Sequence, residues 1–329
     1  MFNKNVLDLD LEQEATRIAT TLAKQLAKLR RRGLVVGVSG GIDSSTCLAL
    51  AARAVGPERV LGLLMPERDS SGRSIELGRQ VCQSVKVPSE VEDLTEIMQA
   101  TGCYRRRDEA IRTVFPEYDE SYKQKIVVPP LAEGDRITFF SIVIQSPSGE
   151  MKKARLPLKA YLQVVASTNF KQRTRAMMEY YHADRLNYAV VATPQRLEYD
   201  QGFFVKGGDG LGDLKPIAHL YKTQVYAMAR HLGLPEAVCN STPTTDTYSL
   251  PQGQDEFFFA LPYPQMDLLL WAYNHEVSAA EAAPVVELSE EQVRWVYRDI
   301  QSKRRTTQYM HLPPILVEEV DGVGTKLKD

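Results

Sequence analysis

Leu34-Val35-Val36-Gly37-Val38-Ser39-Gly40-Gly41-Ile42-Asp43-Ser44-Ser45 is the stretch on which the fold turns. An apolar run, 34–38, leads in, and a helix-forming run continues to Val55. The glycines therefore sit at a strand-to-helix turn. Free backbone N–H groups and the positive end of a helix dipole converge there, which is an anion site in the making. Paired glycines let the backbone approach a phosphate, and the serines add donors. Asp43 would be out of place in a loop that only held an anion. It makes sense if a divalent cation bridges it to the phosphates. The stretch has no Gly-Lys-Ser/Thr ending, so it is not the Walker loop, and it lacks the third glycine of the dinucleotide fingerprint.

Working outward, strand 34–38, helix 44–55 and strand 60–65 form a βαβ unit and imply a parallel sheet. An amphipathic helix over 11–32 precedes it, with Leu11, Ala15, Ile18, Leu22 and Leu26 on one face. Helix 72–85, strand 90–94 and a helical run 95–114 follow. Residues 95–165 stand apart: a β-patterned run, Ile137 to Gln145, the turn Ser146-Pro147-Ser148-Gly149 and a returning strand over 150–157. They predict a hairpin inserted into the α/β domain. Then come helix 169–186, strand 188–192, a non-helical glycine- and charge-rich stretch 193–216 and helix 221–232. A polar loop over 240–256, helices 263–275 and 289–301, a basic stretch and an extended tail complete the chain. The expected fold is α/β: a Rossmann-like parallel sheet with helices on both faces, plus an inserted β-hairpin region.

A net charge of -2 gives no basis for a nucleic-acid surface, and 329 residues are enough to bury a large core. No apolar run is long enough to cross a bilayer, and the polar start, Met1 to Glu14, does not look like a signal peptide. A cytoplasmic protein with neither membrane nor nucleic-acid partner is expected. Cys47, Cys82, Cys103 and Cys239 are scattered without metal-ligand spacing, so sulfur-transfer chemistry has no visible equipment.

The loop Ser39–Ser45 resembles the pyrophosphate loop of the N-type ATP pyrophosphatases. The second half narrows the resemblance. It carries Asn169-Phe170-Lys171-Gln172-Arg173-Thr174-Arg175, then Thr193 and Glu198, then Lys206-Gly207-Gly208-Asp209-Gly210 with Asp213. Leu220-Tyr221-Lys222-Thr223, Pro243-Thr244-Thr245-Asp246 and Lys303-Arg304 follow in order. In this order and spacing the chain is similar to the ammonia-dependent NAD synthase family, from about residue 15 to 314 (interrupted by the insertion). The resemblance implies one adenine nucleotide alpha hydrolase-like domain over 1–329, with 95–165 as a family-atypical insertion and 303–329 as a C-terminal lid and tail.

The resemblance also implies roles. ATP would be held by Ser39, Gly40, Gly41, Ile42, Asp43, Ser44, Ser45, Arg68, Thr193, Lys222, Thr244 and Lys303. Asp43 and Glu198 would ligate Mg²⁺. Asp43, Lys222, Thr244 and Lys303 would be catalytic. Arg173, Arg175, Lys206, Asp209 and Asp213 would bind the carboxylate substrate, nicotinic acid adenine dinucleotide, in a homodimer. Ammonia, free or delivered by a separate glutaminase, would displace AMP from the acyl adenylate to make NAD.

The chain departs from the family pattern at Ala192-Thr193-Pro194-Gln195, at Ser302 before Lys303, and in the length of 95–165. The ATP side is thus better matched than the carboxylate side. A divergent amide ligase acting on another carboxylate is the first alternative, and a catalytically silent nucleotide-binding regulatory protein is the second.

Overall fold

The computed structural model describes residues 2–127, 141–241, 248–250, 258–259 and 261–323. After α1 (Leu11–Lys28), the chain runs β1 (Leu34–Gly37), α2 (Ile42–Val55), β2 (Val60–Leu64), α3 (Gly72–Ser84) and β3 (Ser89–Val91). The central sheet is parallel, in the order β3-β2-β1 with β7 (Ala189–Val191) on the far side of β1. Strand order reverses at β1, and ligands in such sheets collect outside the carboxyl ends at this switch point.

Period-two alternation explains why both faces are covered. Leu34, Val36, Val60, Leu64 and Val191 face a core completed by α1 and α2. Val35, Leu61, Leu63 and Val190 face the other way, onto α4 (Thr95–Ala100), α5 (Cys103–Arg112) and α6 (Leu158–Leu186). The expectation of a parallel sheet with helices on both faces is met.

The inserted region differs from the expectation. It is a three-stranded antiparallel sheet, β4 (Lys123–Val127), β5 (Ser141–Gln145) and β6 (Met151–Arg155), rather than a two-stranded hairpin. Residues 137–140 lie outside the described residues. β4 escaped notice because its Lys-Gln-Lys start masks the alternation: Gln124 and Ile126 point inward and the lysines outward. This sheet shares a core with the neighbouring helices, Ile126, Ile142 and Ile144 packing with Ile111 and Val164. α6 begins at Leu158, behind Pro157, and not at residue 169. Its first two turns are apolar on most sides (Leu158, Ala160, Leu162, Val164, Val165), so no amphipathic period announces them.

Past β7 come α7 (Arg196–Gln201), α8 (Lys222–His231), α9 (Glu236–Cys239) and α10 (Tyr263–Asn274). α11 (Ala279–Val286) and α12 (Glu290–His311) follow. α7 and α11 were not expected, the first for its brevity and the second because Pro284 interrupts its pattern. α12 continues ten residues past the expected end, so Lys303 sits on a helix rather than in an extended tail. Among the described residues no helix is long and apolar enough to cross a membrane.

Candidate active site

A cavity of about 970 Å³ opens outside the carboxyl ends of β1, β2 and β7. Its floor is the quoted loop. Gly41 caps the start of α2, and Gly40 holds a left-handed φ of +78°. The loop is tied by its own hydroxyls. Ser39 N donates to Ser44 Oγ at 3.2 Å, and Gly41 N donates to Ser39 Oγ at 3.2 Å. Ser44 and Ser45 Oγ donate to Gly41 O at 3.1 and 2.7 Å. A β-carbon on residue 40 would fall 2.5 Å from the backbone Ser74 O of α3. Gly40→Ala is therefore expected to strain the loop by about 1–3 kcal/mol from the left-handed backbone alone, with the clash in addition. Calorimetric titration should find ATP affinity down by more than about tenfold.

Asp43, in the first turn of α2, accepts an ion-paired hydrogen bond from Lys222 Nζ on its Oδ2. Its Oδ1 is buried without a hydrogen-bond partner among the described residues. Glu198 arrives from α7. Its Oε2 accepts from Gln195 N at 3.2 Å while Gln195 Oε1 accepts from Leu197 N at 2.7 Å, a capping box that fixes where the carboxyl points. The departure at Gln195 is thus the cap of the helix that aims Glu198. Lys222 is fully buried at the first position of α8. Asp267, on α10, positions it: Oδ1 accepts from Lys222 N at 3.2 Å and Oδ2 from Thr223 N at 2.7 Å.

Burial, then the negative charge of Asp43, push the Glu198 carboxyl up to about 8, with Lys222 opposing. Burial works against the Lys222 charge, but Asp43 and Glu198 outweigh it and hold its pKa above the ordinary range. Two carboxyls, one with an orphaned buried oxygen, leave room for more positive charge than one lysine supplies. This donor set fits a hard, oxygen-loving divalent cation such as Mg²⁺. The sign of the pH effect follows. In the native state Glu198 keeps its proton up to about pH 8, against the ordinary 4.5 of the unfolded chain. Its contribution to stability is fully present below pH 4.5 and is lost as pH rises to about 8, with a slope of up to about 1.4 kcal/mol per pH unit. Thermal melts in EDTA should show this slope in the wild type and not in Glu198→Gln. Mg²⁺ affinity should rise with pH over the same window.

The chain matches the family model described as NAD synthase over residues 14–114 and 114–309. It is 52% identical over 323 residues to the NH(3)-dependent NAD(+) synthetase of Rhizobium meliloti (strain 1021), covering 98% of this chain and 97% of that one. The chain belongs to the NAD synthase family.

Solved structures agree on the NAD synthase fold. The NH3-dependent NAD synthetase of Campylobacter jejuni superposes with a TM-score of 0.61 at 19% identity, covering 94% of this chain and 100% of that one. The NMN synthetase of Francisella tularensis superposes nearly as well, at 0.60 and 17%, covering 90% of this chain and 97% of the other. At these identities the likeness speaks for the fold alone.

The NAD synthase motif residues fall into two groups. Ser39, Gly40, Gly41, Ile42, Asp43, Ser44, Thr193, Glu198 and Lys222 line the cavity, as do Arg173, Arg175, Lys206 and Asp209. Ser45 is buried behind the loop, bonded to Gly41 O. Arg68 turns away to lie 3.9 Å over the Tyr104 ring, with Asp69 and Asp108 beside it. Lys303 Nζ donates to Phe258 O at 2.6 Å and pairs with Asp299 at 2.7 Å, outside the cavity lining. Asp213 Oδ2 accepts from Val190 N at 2.8 Å and likewise does not line the cavity. Thr244 lies outside the described residues.

Lys206 Nζ caps the end of α12, donating to Tyr309 O at 2.7 Å and Leu312 O at 3.1 Å. This brings Tyr309 and Met310 to the cavity rim. Asp209 Oδ1 accepts from Val205 N at 2.8 Å, and burial pushes its carboxyl up to about 6. Sequence reasoning passed over a buried ion network that holds the β2–α3 loop. Lys171 Nζ donates to Glu67 at 2.8 Å and to Asp69 at 2.6 Å, and Arg107 of α5 also pairs with Asp69. It passed over Asp267 too, although a lone acid in the apolar run Met266-Asp267-Leu268-Leu269-Leu270 is a signal of a buried, bonded carboxyl.

Proposed function

We propose that this chain is an ammonia-dependent, AMP-forming ligase that converts nicotinic acid adenine dinucleotide to NAD. The substrate carboxylate attacks the α-phosphorus of ATP, the bond to the β-phosphate oxygen breaks, and pyrophosphate leaves. Ammonia then attacks the acyl carbon, AMP departs with the bonding pair, and the extra proton goes to solvent. What carries this reading is Asp43, Glu198 and Lys222 gathered at the N-terminus of α2, beside the Ser39–Ser44 loop. Carboxylate and triphosphate are both anions, so their approach needs offsetting positive charge. Mg²⁺ held by Asp43 and Glu198 supplies Lewis-acid stabilisation when bound. The loop N–H groups and Lys222 take the pyrophosphate end, and Thr193 stands at the nucleotide. Arg173, Arg175, Lys206 and Asp209, which line the same cavity, serve the acid, and Asp213 supports them from outside the lining. Arg68, Lys303 and Thr244 join once ATP is bound. Lys303 and the segment after it close as a lid; the reach of Tyr309 and Met310 to the rim supports this.

The working unit is a homodimer in the cytoplasm. Leu158, Leu162, Met177 and Tyr181 support the pairing: all lie on α6 and are more than half exposed. An acid other than the dinucleotide is kept as a second reading, because an NMN synthetase shares the fold as closely as an NAD synthetase does.

The test is pyrophosphate release with ATP, Mg²⁺ and ammonium, offered nicotinic acid adenine dinucleotide, nicotinic acid mononucleotide or other acids. NAD formation from the dinucleotide is expected. Release only with another acid would establish the second reading, and no release with any acid would leave a silent binder.

A further inference from the structure

One acidic side chain in the cavity has no task in this scheme. Glu179 projects from α6 to the carboxyl end of β1 and lines the cavity. Its carboxyl lies so close over Gly37 that a β-carbon at residue 37 would collide with Oε1. The other acids of the cavity lining are held: Asp43 by Lys222, Glu198 by Gln195 N, Asp209 by Val205 N, and Asp69 by Lys171 and Arg107. Among the described residues no hydrogen bond or ion pair takes up the Glu179 carboxyl. Its charged neighbours are Asp209 and Arg175, and burial first, then Asp209, push its pKa up to about 8. The carboxyl is partly buried and held against the backbone of β1 without a partner, an arrangement that costs stability, so its place on a cavity wall points to a ligand group that completes it.

The place narrows the kind of group. Gly37 is two residues before Ser39, where the phosphate loop starts, so the carboxyl stands within about 7 Å of chain from the phosphate site. When ionised the carboxyl repels phosphate oxygens, and in either protonation state it can accept from a neutral O–H or N–H. The same cavity is also lined by the apolar Val38, Leu63, Leu64, Met65, Pro66 and Leu77, with Met65 next to the Glu179–Gly37 contact, which suits a purine. Along a nucleotide the pentose is the group next to the phosphates, and the base lies beyond.

We propose that Glu179 is a nucleotide-contact residue whose carboxyl accepts a hydrogen bond from a ribose hydroxyl of ATP, with Gly37 supplying the room. This rests on ATP being the nucleotide of the reaction. The side chain then selects ribonucleotides, and it contributes to ATP binding more than to the later attack by ammonia.

The experiment compares ATP, 2′-deoxy-ATP, 3′-deoxy-ATP and ITP, by pyrophosphate-release kinetics and by calorimetric binding, for wild type, Glu179→Gln and Glu179→Ala. In the wild type, removing the held hydroxyl should lower kcat/KM by about tenfold to a hundredfold. In Glu179→Ala, ATP should fall by a similar factor and the preference over that deoxy analogue should vanish. Glu179→Gln, which keeps an acceptor, should recover part of it. A wild type that does not distinguish either deoxy analogue from ATP overturns the proposal without recourse to any variant. So does unaltered preference in both variants, an effect seen with ITP alone, or one confined to the KM of the acid. Should the wild type release no pyrophosphate with any acid, the proposed reaction fails, while the binding comparison still decides Glu179.

Discussion

Asp43→Asn loses adenylation, by about three orders of magnitude or more in pyrophosphate release, while the protein stays folded. Asp43 stands in the first turn of α2, with Oδ2 on Lys222 and Oδ1 buried without a partner among the described residues. Asparagine keeps the shape and removes the charge that a cation would balance. Glu198 does not replace it: its carboxyl stands on α7 rather than in the first turn of α2, so one of the two oxygen donors to the cation is lost outright. Because Asp43 is also the counter-ion of the fully buried Lys222, the cation-free variant should lose stability as well, by up to about 3–5 kcal/mol less whatever Glu198 recovers by ionising beside the lysine. Single-turnover release of pyrophosphate, with a Mg²⁺ titration and a melt in EDTA, checks all three parts. Near-normal turnover would remove Asp43 from the metal site.

Lys222→Met acts on stability and activity together. Lys222 is fully buried and is the cation paired with Asp43. Methionine fills most of its volume but leaves Asp43 and Glu198 facing each other, and breaking a buried pair in this way costs about 3–5 kcal/mol. Protonation of one carboxyl relieves part of that cost, so the variant should be relatively more stable at low pH. Mg²⁺ should restore stability by binding the folded state only. Activity should not return with it, since the phosphates lose their lysine. Denaturant melts with and without Mg²⁺ read the first effect, and pyrophosphate release the second. Unchanged melts in EDTA would mean that the two carboxyls do not depend on Lys222.

The parts of the site legible in the chain are those made by neighbours in sequence. The loop between β1 and α2 is one run of residues, so its glycines, serines and Asp43 could be read together, and its backbone N–H groups follow from the strand-to-helix turn. Glu198 and Lys222 are 155 and 179 residues from Asp43. They were reached only through the order of motifs shared with a family, and their convergence depends on β7 lying next to β1. Asp267, which fixes the start of α8, and Gln195, which caps α7, are legible as residue types that need partners, but not as to which partners.

The sequence by itself determined the strand-to-helix phosphate loop, the parallel sheet and its alternating faces, because local propensity and period-two burial act over a few residues. Only the tertiary structure decided which distant charges meet. It set Lys222 against Asp43, laid Arg68 on Tyr104, turned Lys303 toward Phe258 and left the Glu179 carboxyl facing the cavity. The physical reason is that a charge's partner is set by burial and by the crossing of strands and helices, over distances that no short window of sequence encodes.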